Sequence, residues 1–334
     1  MQFRTELTPD VFLRPIGLDD RLVTLGSCFA EVMGQRLTDH KLTVLNNPFG
    51  TVFNAVSMGK LVAMALKCTP GNVPGTLLDE NGYVQRDGLW FHYDFHSSCW
   101  GHTRADLQTR LSQRLLLAGE ALRRANWLLL TLGSAVVYRH NDRVVANCHK
   151  MPGTLFQKSL CPAAETSQAL TDLITTLQAH NPDLQIVLTV SPVRHLRDGL
   201  MLNAASKAQL RWLCHELSGM YPQVQYFPAY ELVQDDLRDY RFYEADLTHP
   251  TAQAHNYVFT KFAQSAFSPD LQAFAKQWAQ LWRDMAHRPQ HGLTDAHRLF
   301  LQNLLNRLNA LPVTVDTTAE RADIDRQLHA NPGA

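Results

Sequence analysis

The sequence carries no surplus of charge: 31 Lys and Arg are matched by 31 Asp and Glu over 334 residues. It therefore lacks the basic field that would attract nucleic acid or an anionic membrane, and neither partner is expected. Local basic pairs such as Arg123-Arg124 read as solvated helix ends. Long apolar runs are also missing. The stretch ALRRANWLLLTLGSAVV is broken by arginines and glycine, short of the roughly 18 uninterrupted residues of a membrane helix. The N-terminal MQFRTELTPDVFLRP has no apolar h-region, so no secretory signal is expected. The six cysteines (28, 68, 99, 148, 161 and 214) form no CxxC pair and no regular spacing. That excludes a disulfide framework or structural zinc and makes a reducing, cytoplasmic location the expectation. HExxH, Walker A and GxGxxG patterns are absent, so neither a metal nor an organic cofactor is expected.

What is present is alternation. With 45% hydrophobic and 19% charged residues the composition is globular. Strand-like runs at 22–25, 41–46, 127–132, 184–190 and 223–227 are separated by helical patterns at about 28–39, 53–67, 104–125, 166–180, 203–220 and 251–266. Such alternation predicts βαβ crossovers and a mostly parallel sheet covered on both faces. Ligands then bind beyond the carboxyl ends of the strands, where Gly26, Gly50, Gly133 and Ser191 fall. Two insertions interrupt the pattern. Residues 70–102 are rich in glycine and aromatics and read as hairpins or a cap over one rim. Residues 135–147 read as a β-hairpin around His140-Asn141-Asp142 that delivers Asn147, Cys148, His149 and Lys150 into a loop. The domain is expected to span 1–266. A helical extension, 267–334, follows: two amphipathic helices joined by HRPQHGLT, which dock on the domain or form a homo-oligomer interface, then a polar, loosely ordered tail.

The chemistry-bearing residues lie far apart in sequence. In LVTLGSCFAEVMGQRL a short strand stops at Gly26 and helical periodicity starts within two residues. Ser27 and Cys28 thus sit at a strand-to-helix elbow, the place for an exposed nucleophile. Either residue is a candidate; the plainer reading has Ser27 capping the helix and Cys28 packing as a small hydrophobe. A thiol at a helix N-terminus is expected to have a lowered pKa. In DLTHP, Asp246 and His249 are spaced so that one loop folds the carboxylate back onto the imidazole it orients, with Pro250 in the first turn of the next helix. Alternatively Asp246 only caps that helix. Gly50 allows a backbone N–H to approach an oxyanion, and Asn147 and His149 are further donors to oxyanion or substrate. Arg194 and His195 follow the fourth strand and are candidates for an anionic substrate. Ser206-Lys207 reads as the start of a solvated helix rather than a Ser–Lys dyad. Trp90, Phe91, Tyr93 and Phe95 suit either a sugar-stacking wall or the core face of a strand.

Six blocks occurring in order over roughly residues 20–265 (TLGSCFAE, NPFGTVFN, LTLGSAVVY, ANCHKMP, TVSPVRH and DLTHPTAQAHNY) resemble the GSCFA family, a branch related to the SGNH/GDSL hydrolases. The resemblance implies a three-layer α/β/α, flavodoxin-like parallel sheet with a helical C-terminal appendage. It also implies a nucleophile in the first block, an oxyanion N–H at Gly50, and the Asp-x-x-His pair at Asp246 and His249. Two positions depart from the wider superfamily. Gly26-Ser27-Cys28 stands where Gly-Asp-Ser is usual, which sets cysteine at the nucleophile's place. Ala135 stands where an oxyanion asparagine is usual, a role Asn147 or His149 is a candidate to fill. The implied activity is that of an esterase cleaving an O-acyl ester, with an acylated carbohydrate or other small molecule as substrate, through a covalent acyl-enzyme. Acyl transfer through Cys28 and a non-catalytic carbohydrate- or protein-binding module are the alternatives.

Overall fold

Strand β1 (Arg21–Gly26) and strand β5 (Trp127–Leu132) are the apolar centre of the molecule, and their sequences explain why. RLVTLG and WLLLTL have no charged residue after the first position, and every residue of β5 is buried. Strands of that composition belong in the interior of a parallel sheet with helices on both faces. The computed structural model, which describes residues 4–71, 77–287 and 294–329, has this arrangement. β2 (Thr43–Asn46), β1, β5, β9 (Gln185–Val190) and β10 (Val224–Tyr226) form a five-stranded parallel sheet in that spatial order. The order is flavodoxin-like, with the switch point between β1 and β5.

Alternation along each strand divides the core in two. Val23, Leu25, Leu128, Leu130, Ile186 and Leu188 face one layer, built from α2 (Ala55–Lys67), α3 (Arg104–Arg124), α4 (Ala163–His180) and α5 (Leu200–Met220). Leu22, Trp127, Leu129 and Val187 face the other, made of α1 (Cys28–Asp39), α7 (Ala252–Ala266) and α8 (Pro269–Ala286). A fully buried leucine in such a layer contributes about 1.5–3 kcal/mol. Local chemistry shifts the expected boundaries by a few residues. Asn54 caps α2 by accepting from the Ser57 N–H, so that helix starts after the cap rather than at 53. Lys41, at φ 66, closes the end of α1 through Thr38 O, so β2 starts at Thr43. Between β10 and α7 lie the short α6 (Ala229–Glu231) and a π-helical turn, Leu232–Leu237.

Both insertions contain hairpins. In the first, β3 (Tyr83–Arg86) pairs with β4 (Leu89–His92) through Asp87-Gly88, both at positive φ, as a two-residue turn requires; residues 72–76 of this insertion lie outside the described residues. The second has β6 (Val136–His140) and β7 (Arg143–Val145) joined by Asn141-Asp142, again at positive φ. A third strand, β8 (Gln157–Leu160), pairs with β6. Its polar sequence QKSL gave no strand signal.

The C-terminal helices dock on the domain. Leu271, Trp278 and Leu281 of α8 share a core with Phe29 and Leu37 of α1, and the Trp278 indole N–H donates to Asp39 O at 2.7 Å. Leu301, Leu304 and Leu308 of α9 (Asp295–Asn309) extend the same core. Most of the linker HRPQHGLT, residues 288–293, lies outside the described residues. The tail is a correction: part of the segment expected to be loose is helix α10 (Thr318–Leu328). Ile324 is buried there, and Glu320 pairs with Lys41 at 2.7 Å. The buried Ile324, the pair with Lys41 and the Arg321 hydrogen bond to Leu308 O anchor a helix whose polar composition disguised it.

Candidate active site

The elbow is made by a glycine whose place admits no side chain without displacing the backbone beside it. Gly26 has φ +137, and a Cβ there would lie 2.1 Å from Thr131 O. Its absence lets the end of β1 close onto β5, where the Ser27 N–H donates to Thr131 O at 3.2 Å. Asn47 latches the same point from the other side: its Oδ1 accepts the Gly26 N–H at 3.1 Å, and its own N–H reaches Thr24 O at 3.0 Å. Sequence reasoning passed over Asn47, although it opens the NPFG block.

The two candidate nucleophiles are held differently. Ser27 is fully buried, and its Oγ accepts the Phe29 N–H at 3.2 Å as the N-cap of α1. Cys28 is the first residue of that helix and is partly exposed. The expected lowering of its pKa is not found. Burial pushes the thiol up, outweighing the N–H groups of Phe29 and Cys28; Glu31 adds to the rise and Lys207 opposes it. Desolvation of the thiolate thus exceeds the benefit of the helix terminus.

Asp246 and His249 form a pair within one loop. Asp246 Oδ2 lies 2.7 Å from His249 Nδ1, while Oδ1 accepts the N–H groups of Thr248 and His249 at 2.8 and 3.0 Å. Leu247 takes φ 55 to permit the reversal. The imidazole and the two N–H groups hold the Asp246 carboxyl down to about 2, so it is ionised throughout the neutral range. The expected place of Pro250 needs correction: α7 starts after Thr251, whose Oγ1 caps it, and Pro250 precedes the cap in a bridge to Tyr243. The loop is joined to the rim of the sheet, since the Arg194 N–H donates to Thr248 O at 3.1 Å. Helix α7 also brings the His255 ring to 5.9 Å from that of Phe29, next to Cys28.

The remaining candidates divide. The Gly50 N–H closes a turn to Asn47 O at 2.8 Å instead of standing free for an oxyanion. Gly50 is required because a Cβ at its φ of +71 would meet His96 Cβ at 2.6 Å. The Asn147 side-chain oxygen accepts the His149 backbone N–H at 2.8 Å and lies 3.3 Å from Ser97 Oγ. Both His149 nitrogens are engaged, Nδ1 with Ser97 Oγ and Nε2 with His92 O, each at 2.9 Å, and burial lowers its pKa to about 4. His149 therefore stays neutral and fastens the two insertions together, stacking on Phe91. Tyr93 and Phe95 are buried, so this aromatic run packs rather than forming an open wall. The Arg194 guanidinium lies 4.9 and 5.2 Å from the rings of Tyr243 and Tyr240. His195 packs edge-on against Phe53 and is lowered to about 4 by burial, with the charges of Lys207 and His249 contributing. Ala135 is buried, its N–H donating to Ser206 Oγ at 2.7 Å.

Lys207 overturns its expectation. The solvated helix start it was assigned to is in fact the second turn of α5, and Lys207 is 1% exposed. The missed signal was its spacing from Leu210 and Cys214, three and seven residues on, which sets it on the apolar stripe.

No curated protein matches the chain. Among solved structures, a Streptococcus pneumonia protein assigned as a platelet activating factor is 12% identical, with a TM-score of 0.39, over 75% of this chain and 85% of its own. A carbohydrate esterase family 2 enzyme with a carbohydrate-binding domain, from Corynascus thermopiles (Myceliophthora fergusii), is 14% identical, with a TM-score of 0.28, over 46% of this chain and 38% of its own. Among the described residues, no helix is long and apolar enough to cross a membrane. The sequence model of the GSCFA domain protein, C-terminal domain, matches residues 278–330, and that of the GSCFA family matches residues 21–262. The chain belongs to the GSCFA family.

Proposed function

We propose that the chain is an esterase that works through a covalent acyl-enzyme on Cys28. The observation that carries this reading is the Asp246–His249 pair, at 2.7 Å, in a loop bonded to the same sheet rim at which the elbow ends. Cys28 rather than Ser27 is the nucleophile, because Ser27 is buried and its oxygen is committed to the helix cap.

Cys28 Sγ attacks the ester carbonyl carbon as its proton passes to His249. The new negative charge on the carbonyl oxygen is met by the Cys28 N–H, at the positive end of α1. The Asn147 amide nitrogen, which has no partner among the described residues, is a second donor. Collapse breaks the C–O bond, and His249 returns the proton to the leaving alcohol. Water, deprotonated by His249, then attacks the thioester, and Cys28 leaves with the proton. Asp246 stays ionised throughout, fixing the ring tautomer and stabilising the imidazolium. Transfer of the acyl group to another hydroxyl uses the same steps with an alcohol in place of water.

A carbohydrate ester is the preferred substrate class. A groove of about 510 Å³ adjoins the NNPFG loop; its wall has Ser98, Trp100, Arg110 and Arg114 beside the apolar Leu45, Pro48 and Leu117, and Cys28 and His249 lie outside it. An indole face flanked by guanidinium groups is chemistry that suits a polyol, while the Asn46 and Asn47 amides are already bonded within the protein. The test is hydrolysis of p-nitrophenyl acetate by His249→Ala. Loss of about 10²- to 10⁴-fold in turnover is expected for removal of a general base; unchanged turnover would leave a binding module on the same fold.

A further inference from the structure

Arg194 stands just beyond the carboxyl end of β9, on a segment pinned at three consecutive residues. The N–H groups of Val193, Arg194 and His195 donate to Ser191 Oγ at 3.3 Å, Thr248 O at 3.1 Å and Asn203 Oδ1 at 3.0 Å. Thr248 precedes His249 in the chain, and Pro250, which follows it, bridges to Tyr243. The Arg194 guanidinium lies over that Tyr243 ring, 4.9 Å from its centre, and 5.2 Å from the centre of the Tyr240 ring. Tyr243 is itself held, its hydroxyl accepting from the Gln234 amide. Both chain neighbours of the candidate base are thus tied to Arg194, one through its backbone and one through the ring beneath its side chain.

What the guanidinium lacks is an acceptor. Among the described residues it donates no hydrogen bond and pairs with no carboxylate. The acids of the two segments are engaged elsewhere or stand apart: Asp198 pairs with Lys158 at 2.6 Å, Asp239 accepts the Arg241 N–H, and Asp246 holds His249. Glu244 is exposed and has no partner among the described residues. A guanidinium is always charged, and its donors form a planar fork that matches a carboxylate with two parallel hydrogen bonds. Stacking on two rings fixes its face and uses none of those donors. One such cation balances one negative charge, which favours a carboxylate over a doubly charged phosphate. We propose that Arg194 is a specificity-determining residue: it receives a carboxylate carried by the ester substrate, such as an acidic sugar or a dicarboxylic acyl group presents. The inference rests on the esterase reading and narrows its substrate class. Arg194 holds the substrate away from the scissile bond, and no bond to it forms or breaks.

An arginine that only braced the loop would stack on the same rings, so the test must compare esters that differ in charge. p-Nitrophenyl hemisuccinate carries the carboxylate on the acyl side and p-acetoxybenzoate on the alcohol side; their methyl esters are the neutral partners. The wild type should prefer one of the two acids over its methyl ester, and the preferred acid identifies the side. In Arg194→Met, kcat/KM for that acid should fall about 10- to 100-fold, as expected for a lost charged hydrogen bond, while that for its methyl ester should change less than about threefold. Arg194→Lys, a point charge without the fork, should recover part of the loss. Arg194→Gln replaces the Met variant if that variant does not fold. None of these changes touches the backbone N–H bonded to Thr248. Equal losses on the acid and its methyl ester, or a wild type that prefers neither acid, would overturn the proposal. The amide counterparts, p-acetamidobenzoate and N-(p-nitrophenyl)succinamate, need no cleavage, so the two readings fail separately. Calorimetric binding of one of these amides that is lost in Arg194→Met, with no ester turned over by the wild type, would sink the proposed function and leave the carboxylate site. Turnover that needs Cys28 but is indifferent to substrate charge and to Arg194 would do the reverse.

Discussion

The two halves of the candidate site are built in opposite ways. The Asp246–His249 half is exposed and self-contained: one five-residue loop supplies the carboxylate, the imidazole and the N–H groups that orient them. The Cys28 half is largely buried around its partly exposed thiol and is held from across the chain, with Asn47 and Thr131 on different segments. A local motif carries its geometry in its spacing, whereas an elbow carries only its position. The buried half is therefore the one in which single substitutions are expected to have large and mixed effects on stability and chemistry.

The largest expected effect separates Cys28 from its neighbour. Cys28→Ala should reduce turnover to background, while Ser27→Ala should keep most turnover and lose about 0.5–2 kcal/mol of stability as a missing helix cap; steady-state rates with p-nitrophenyl acetate and urea melts check both. Next comes the exposed half. Asp246→Asn should lower turnover by roughly 10²-fold through loss of the oriented tautomer, with a denaturation midpoint close to wild type because the pair is solvent-exposed. Gly26→Ala should then cost about 1–3 kcal/mol, since it forces a Cβ into Thr131 O at a positive φ; thermal melts compare it with Gly88→Ala, where the added Cβ meets nothing within 4 Å.

The smallest effect is a pH dependence. His92, His149, His195 and His255 are each lowered from 6.5 to about 4, burial being the largest cause. Between those values the unfolded chain binds more protons than the folded one, so stability should fall as pH falls from 6.5 towards 4. Asp246 works in a lower window: its ionised form favours the fold above its ordinary carboxylate value, and that contribution disappears only as pH falls through about 2. Melting temperatures at pH 7, 5.5 and 4.5 test the histidine window.

How much of this was legible follows from the same contrast. β1, β5 and β9 were readable because buried parallel strands are continuous apolar runs. Asp246 and His249 were readable because their geometry is local. β8 and α10 were hidden by polar sequence and are held by tertiary pairing, β8 on β6 and Glu320 on Lys41. The Cys28 thiol was read with the wrong sign because helix position is visible in sequence and desolvation is not. Gly50 was given a free N–H because a glycine marks a turn without saying which bond closes it.

The most direct test of the central assignment is the intact mass and peptide map of the protein quenched during turnover of p-nitrophenyl acetate. One acetyl group on the peptide containing Cys28 is predicted, lost in Cys28→Ser at that sulfur and retained in Ser27→Ala. An acetyl mapped to Ser27, or an active enzyme that never carries an adduct on either residue, would contradict it.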